Sequence, residues 1–138
     1  MPELMLLEVV TPQRLVLRER AEAVVVPSAN GYLGVLPNHA PMVAVVGLGI
    51  VRFGQFHGAK RKMAVSGGFM EVAGNRVTIL ADTAELAEEI DVMRARAARD
   101  RALARLRTRA ASIDYARAQR ALARALNRLR AAGVEPES

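Results

Sequence analysis

Residues 60–80 read Lys60-Arg61-Lys62-Met63-Ala64-Val65-Ser66-Gly67-Gly68-Phe69-Met70-Glu71-Val72-Ala73-Gly74-Asn75-Arg76-Val77-Thr78-Ile79-Leu80, and their punctuation decides the fold. Short runs rich in Met, Val and Ile are divided by Ser66-Gly67-Gly68 and by Ala73-Gly74-Asn75. Runs of this length, bounded by Gly, Ser and Asn, are too short for helices and are spaced as strands are. They predict strands at 60–65, 69–72 and 76–80. The same grammar continues upstream, where strands are expected at 4–10, 22–26, 42–46 and 48–53. Between these lie Thr11-Pro12-Gln13, Pro27-Ser28-Ala29-Asn30-Gly31 and Pro37-Asn38-His39-Ala40-Pro41, which carry turn chemistry. Close-spaced strands without intervening helices favour a sandwich over a parallel α/β sheet. Residues 1–84 are therefore expected to form an antiparallel β-sandwich. The glycines at 47, 49, 54, 58, 67 and 68 read as turns and bulges within it.

From Asp82 the pattern changes. Glu85, Glu88, Glu89 and Asp91 gather negative charge around a helix start, where the macrodipole favours it, and a run of Ala, Leu and Arg continues to about Ala111. Ser112-Ile113-Asp114 interrupts the run with two N-cap residue types, and a second helix is expected to about Ala132. Arg128 and Arg130 fall in its last turn, and Gly133 stands as a C′ terminator. The tail beyond Gly133 is expected to fray. Tyr115, Ala118, Leu122, Ala125, Leu126 and Leu129 recur at coiled-coil spacing along the second helix. Residues 85–138 thus read as an antiparallel two-helix hairpin with a narrow, Ala-rich stripe. Isolated helices of this length are marginal, so the hairpin borrows stability from a neighbour, a ligand or a partner. The stripe suits either a permanently docked hairpin or a movable one.

Composition narrows the function. The chain has 138 residues, enough for one full core with an attachment. Apolar residues make up 51% and aromatics only 4%, so the core must be aliphatic. Cys is absent, which removes disulfides, thiolate nucleophiles and sulfur-bound metals. No run approaches the ~20 apolar residues of a membrane span, and Met-Pro-Glu-Leu lacks a basic signal-peptide region, so a cytosolic or peripheral protein is expected. The net charge of +6 divides unevenly: residues 1–84 carry eight Lys/Arg against six Asp/Glu, and residues 85–138 carry twelve against eight, all twelve being Arg.

The usual catalytic equipment is not visible. His39 and His57 stand in no metal-ligand spacing, the glycines form neither a P-loop nor a dinucleotide fingerprint, and Glu71 and Asp82 have no paired acid or nucleophile. The arginines are the one polar constellation. Arg94 and Arg101 are seven apart, while Arg117, Arg120, Arg124 and Arg128 follow helical offsets, so each set shares a face. In an antiparallel hairpin these faces can converge into a phosphate cradle. A solvated basic face fits the same spacing. Nucleic acid is disfavoured by the eight interspersed acids and by the single stacking aromatic, Tyr115.

Longer motifs add a resemblance. Gly31-Tyr32-Leu33-Gly34-Val35-Leu36-Pro37-Asn38-His39-Ala40-Pro41 resembles the signature block of ATP synthase epsilon subunits, Gly-x-Leu-Gly-hydrophobic-x-Pro-x-His-x-Pro. Residues 65–72 and 77–81 are similar to that family's second and third blocks. Ile90-Asp91-Val92-Met93-Arg94-Ala95 resembles its Ile/Leu-Asp-x-x-Arg-Ala motif. The matches occur in family order and span nearly the whole chain.

The resemblance implies a non-catalytic subunit of the proton-translocating ATP synthase, peripheral on the cytoplasmic side of the cell membrane through its complex. It implies that the sandwich binds the gamma subunit and the c-ring, the latter through a loop containing Tyr32 and His39. Many members have an acid where this chain has Tyr32, so packing or stacking is implied there rather than an ion pair. It further implies a hairpin that folds, or extends toward the alpha/beta hexamer and inhibits ATP hydrolysis. No cofactor is required, and ATP is the implied regulatory ligand of the folded hairpin. The implied ATP ligands are Glu85, Ile90, Asp91, Arg94, Ala95, Arg101, Arg124 and Arg128, with the arginines on phosphate and the two acids on adenine or ribose. Neither of two alternatives, a stand-alone nucleotide sensor and a basic nucleic-acid adaptor, accounts for the 31–41 block.

Overall fold

The computed structural model describes residues 3–108 and 113–137. Among them, eight strands run β1 Met5–Val10, β2 Leu15–Ala21, β3 Ala23–Ser28, β4 Gly31–Val35, β5 Met42–Val45, β6 Gly49–Gly54, β7 Lys60–Ala73 and β8 Arg76–Leu86. A 3-10 turn at Ala87–Glu89 and two helices follow, α1 Val92–Arg107 and α2 Tyr115–Ala131. The chain divides into two compact units after Leu86.

The strands form a β-sandwich, as their close spacing without intervening helices predicts. Hydrogen bonding follows the order β2-β1-β8-β7-β6-β3-β4, and β5 pairs separately with β7. On β1, Met5, Leu7 and Val9 are buried while Leu6, Glu8 and Val10 lie on the other face, the period-2 pattern of a half-buried strand. One pairing departs from the antiparallel expectation: β1 runs parallel to β8, with Leu7 opposite Val77 and Val9 opposite Ile79. These two strands are far apart in the chain, and the rest of the sandwich supplies the long crossover that parallel neighbours need.

The expected turn at Ser66-Gly67-Gly68 is not a turn. Residues 60–73 form the single strand β7, whose first half pairs with β6 and whose second half pairs with β5. Gly67 and Gly68 have φ of 69° and 120°, so the strand bends without ending. The same two residues bind the β5–β6 connection: Val46 donates its N–H to Gly68 O at 2.9 Å, and Gly67 donates to Gly47 O at 3.3 Å. One strand thereby serves both layers. The core between them is aliphatic, including Leu7, Val9, Val24, Val26, Val51, Met63, Met70, Val77 and Ile79, with Phe53 its aromatic member. Each such side chain, fully buried, contributes roughly 1.5–3 kcal/mol.

Three boundaries differ from expectation. β2 lies outside the expected strands because Arg18-Glu19-Arg20 breaks its apolar run, yet edge strands carry such charges as protection against pairing with other chains. β4 also lies outside the expected strands, because Gly31 and Gly34 give it weak strand propensity. β8 continues to Leu86, past the expected boundary at 84, because Ala84, Glu85 and Leu86 find partners in Val65, Ala64 and Met63. Glu85 is consequently a strand residue and not part of the helix start.

Gly68 gives a direct test of the bend. A Cβ there would meet Leu80 O and lie 2.9 Å from Ala81 Cα, in a φ region that L-residues avoid. Gly68→Ala is expected to destabilise the chain by roughly 2–5 kcal/mol in urea titration. Wild-type stability in that variant would show that β7 does not depend on the bend.

Candidate functional site

Asp91 begins the hairpin as an N-cap, with extended backbone and Oδ1 accepting the N–H of Arg94 at 3.1 Å. The second helix starts the same way: Asp114 Oδ1 accepts the N–H of Arg117 at 3.0 Å. The local sequences are Asp91-Val92-Met93-Arg94-Ala95 and Asp114-Tyr115-Ala116-Arg117-Ala118, so one five-residue pattern opens both helices. In each copy the Ala is buried and the Arg is exposed. The repeat is present in the sequence, where Asp91 stands among the acids of a helix start and Asp114 as a cap residue. Ser112, the other cap type named there, lies outside the described residues, as does the expected helix end at Ala111. α1 closes at Arg107 with Thr108 as its C-cap.

The two helices pack antiparallel. Tyr115 Oη donates to Thr108 O at the loop end, and Arg99 in the middle of α1 reaches Glu135, just beyond α2. Ala95 and Ala102 are buried on α1, and Ala118, Ala125 and Leu129 are buried on α2. Small side chains on both stripes let the backbones approach closely. Arg94, Arg101, Arg117, Arg124 and Arg128 each immediately precede one of these buried residues. Antiparallel helices are related by a two-fold axis normal to their common plane, so residues on the same side of each stripe fall on the same broad face of the hairpin. Arg94, Arg101, Arg117 and Arg124 are exposed there and Arg128 is half-buried. The expected set Arg94, Arg101, Arg124 and Arg128 thus shares one face, and Arg117 joins it. Ala95 is fully buried in the seam. Ile90 is buried just before the cap and donates its N–H to Ala87 O at 3.3 Å. Glu85 lies opposite Ala64 in β8.

The first tail residues, Val134 to Pro136, have partners within the hairpin. Gly133 takes φ of 81°, its N–H reaches Arg130 O at 3.0 Å and the Val134 N–H reaches Leu129 O at 3.0 Å, which caps the last carbonyls of α2. Glu135 then accepts from Arg99 Nη1 at 2.9 Å, and Pro136 O accepts from Arg130 Nε at 3.3 Å.

On the sandwich, Tyr32 is a strand residue of β4 rather than a loop residue. Its ring is more than half exposed, with the Arg52 guanidinium 5.8 Å from its centroid, a cation–π arrangement. Its hydroxyl accepts the Ile50 N–H at 3.4 Å. His39 lies in the loop 36–41, where its N–H reaches Leu36 O at 3.2 Å and Nδ1 donates to Ala40 O at 2.7 Å. Among the described residues, no cluster of three His, Asp or Glu side chains gathers to hold a metal, and no helix is long and apolar enough to cross a membrane.

The outer face of the β5-β7-β8-β1-β2 layer carries a feature that strand prediction alone does not show. Val45 pairs with Phe69, Phe69 with Leu80, Leu80 with Val10, and Val10 with Leu15. This makes one continuous apolar row across five strands, and Val45, Phe69, Leu80 and Leu15 are each more than half exposed. The neighbouring row, Val43–Glu71–Thr78–Glu8–Arg18, is mostly polar. Glu8 is held there between Arg18 at 3.9 Å and Arg76 at 3.4 Å.

Comparison with known proteins gives consistent relatives for both units. Residues 4–87 match the family described as ATP synthase, Delta/Epsilon chain, beta-sandwich domain, and residues 88–133 match its long alpha-helix domain. The chain is 58% identical over 106 residues to the ATP synthase epsilon chain of Symbiobacterium thermophilum, covering 76% of each chain. It is 48% identical over 105 residues to the epsilon chain of Syntrophomonas wolfei, covering 76% of this chain and 77% of that one. Among solved structures it resembles a chain of the Euglena gracilis mitochondrial ATP synthase (OSCP/F1/c-ring), with a TM-score of 0.73, 26% identity and coverage of 89% and 78%. A chain of the Tetrahymena thermophila mitochondrial ATP synthase central stalk and c-ring shares the fold, with a TM-score of 0.59 and 13% identity over 93% and 96%.

The tail contact yields a prediction. Glu135→Gln is expected to speed amide exchange in the last turn of α2 and at Val134 by about two- to fivefold, the effect of a partly exposed ion pair worth roughly 0.3–1 kcal/mol. Unchanged exchange would mean that the Gly133 turn alone holds the tail.

Proposed function

This chain belongs to the ATP synthase delta/epsilon family, and from that membership we propose that it is the epsilon subunit of a rotary ATP synthase, a non-catalytic part of the rotor. The observation that carries the reading is the apolar row Val45–Phe69–Leu80–Val10–Leu15. A flat strip of apolar side chains beside a charged row is what a sheet presents to a permanent protein neighbour, because isolated chains seldom leave such contiguous surface in water. In this reading the strip docks on gamma, and Tyr32 and His39 face the c-ring. The subunit then transmits proton-driven rotation without chemistry of its own, peripheral to the cytoplasmic side of the cell membrane through the complex.

The hairpin is the regulatory element of the same proposal. Its arginine face suits the phosphates of ATP, since guanidinium forks match phosphate oxygens. Asp91 already accepts the Arg94 N–H as a cap, so its contribution to a bound nucleotide is to hold the start of α1 that carries Arg94. No hydrolytic step is assigned to these residues, and ATP acts as a ligand that favours the folded hairpin. A ligand that binds one state stabilises it by about 2.7 kcal/mol at 100 times its dissociation constant. Release of ATP then allows extension toward the alpha/beta hexamer and inhibition of hydrolysis. A nucleic-acid adaptor finds no support in the apolar row, and a stand-alone sensor has no use for it.

Two measurements test the two halves of the reading. Phe69→Glu places a charge in the middle of the row at an exposed position, and is expected to weaken binding to gamma by at least about 30-fold, the ~2 kcal/mol of a hot spot, while the chain's melting temperature stays near wild type. Full affinity would exclude the row from the interface. Arg94→Ala is expected to weaken ATP binding in calorimetry by roughly 1.5–3 kcal/mol and leave the sandwich intact. Equal affinity would make these arginines a solvated or partner-binding face.

A further inference from the structure

Gly74 and Asn75 join β7 to β8 with both residues at positive φ, 57° and 58°, and Ala73 pairs with Arg76 on either side. This is the two-residue hairpin turn in which both central positions favour Gly or Asn, with Gly most favoured at the second. Here the second position is Asn. A turn that had only to close the hairpin would be served at least as well by Gly, so the side chain of Asn75 needs a separate reason.

Its contacts supply one. Asn75 Oδ1 accepts the N–H of Asn38 at 2.9 Å, and Asn75 Nδ2 donates to Leu4 O at 2.8 Å. Its backbone O also accepts the N–H of Leu6 at 3.1 Å. Asn38 is the left-handed residue of the loop 36–41, with φ of 63°, and Pro37 precedes it. The His39 N–H to Leu36 O bond closes a turn with Pro and a positive-φ residue at its two central positions, the type II pattern. Asn38 is gripped a second time, its Nδ2 donating to Glu3 Oε2 at 2.7 Å. One amide thus ties three chain segments together, and the loop residue it grips is adjacent to His39.

We propose that Asn75 is a positioning residue, holding the Asn38–His39 turn in the shape that meets the c-ring; this rests on the reading of that loop given above. Asn75 itself is not assigned a contact with the ring. Its amide fixes the backbone N–H of Asn38, which sets the turn, which sets where the imidazole of His39 stands. Substitutions at 75 separate this role from mere turn closure. Asn75→Gly keeps the positive φ and removes both side-chain bonds. Asn75→Asp keeps the acceptor for Asn38 and loses the donor to Leu4.

The test uses the full-length chain, reading amide exchange at Asn38 by NMR and affinity for a c-ring carrying gamma. Asn75→Gly is expected to speed exchange of the Asn38 amide at least tenfold and to weaken ring binding at least about fivefold, with the melting temperature unchanged. Asn75→Asp is expected to keep both within about threefold of wild type. Wild-type exchange at Asn38 in Asn75→Gly would overturn the proposal, as would an Asp variant as impaired as the Gly variant. His39→Ala serves as the reference for the loop. If it weakens ring binding while Asn75→Gly does not, the positioning role fails and the loop reading stands. If neither weakens it, the loop reading itself is wrong.

Discussion

The sandwich depends on the close approach of β7 and β8 at Gly68. Leu80 O and Ala81 Cα occupy the space that any side chain at 68 would need, and the positive φ at 67 and 68 lets the strand bend there without losing its partner. Because the strand survives the bend, its two halves pair with different neighbours, β6 before it and β5 after it. The consequences reach the surface. The second half turns Met70 and Val72 into the core and Phe69 outward between Val45 and Leu80. It also leads into the Gly74-Asn75 turn, which holds the 36–41 loop. A core constraint therefore shapes both the outer apolar row and the 36–41 loop.

The strands were legible where short apolar runs end at turn residues, and in β1 and the start of β8 burial then follows a period of two. What local pattern concealed were strands whose stability comes from neighbours. β4 has two glycines in five residues and is a strand because it pairs with β3 from Val24 to Ser28. The Ser66-Gly67-Gly68 segment carries turn residues and is held extended by Val46, Gly47 and β8. The tail beyond Gly133 looked free because nothing in its sequence names Arg99 as the partner of Glu135. Tertiary contacts override propensity at each of these sites.

In the hairpin, the Asp-x-x-Arg-Ala pattern has a local meaning before any ligand is considered. Asp caps the helix by accepting the N–H of the Arg three residues on, Ala enters the seam, and Arg is left on one face. The pattern recurs at Asp114, and on both helices the arginines precede the buried seam residues, so the two-fold axis normal to the plane of the antiparallel pair brings five of them to a common side. Of the residues implied as ATP ligands, Arg94, Arg101, Arg124 and Arg128 lie on that face. The carboxyl of Glu85 precedes a helix in sequence while its backbone completes a strand, which local pattern does not distinguish. Ile90 and Ala95 are both buried.

The central claim is that the outer face of the β5-β7-β8-β1-β2 layer seats the chain in its complex. Hydrogen exchange of the chain, free and within an intact ATP synthase, measures this most directly. The account predicts added protection at 43–45, 69–71, 78–80 and 8–10, where the apolar row and its charged neighbour lie. Protection confined to β3, β4 and β6, with those four segments exchanging as in the free chain, would contradict it.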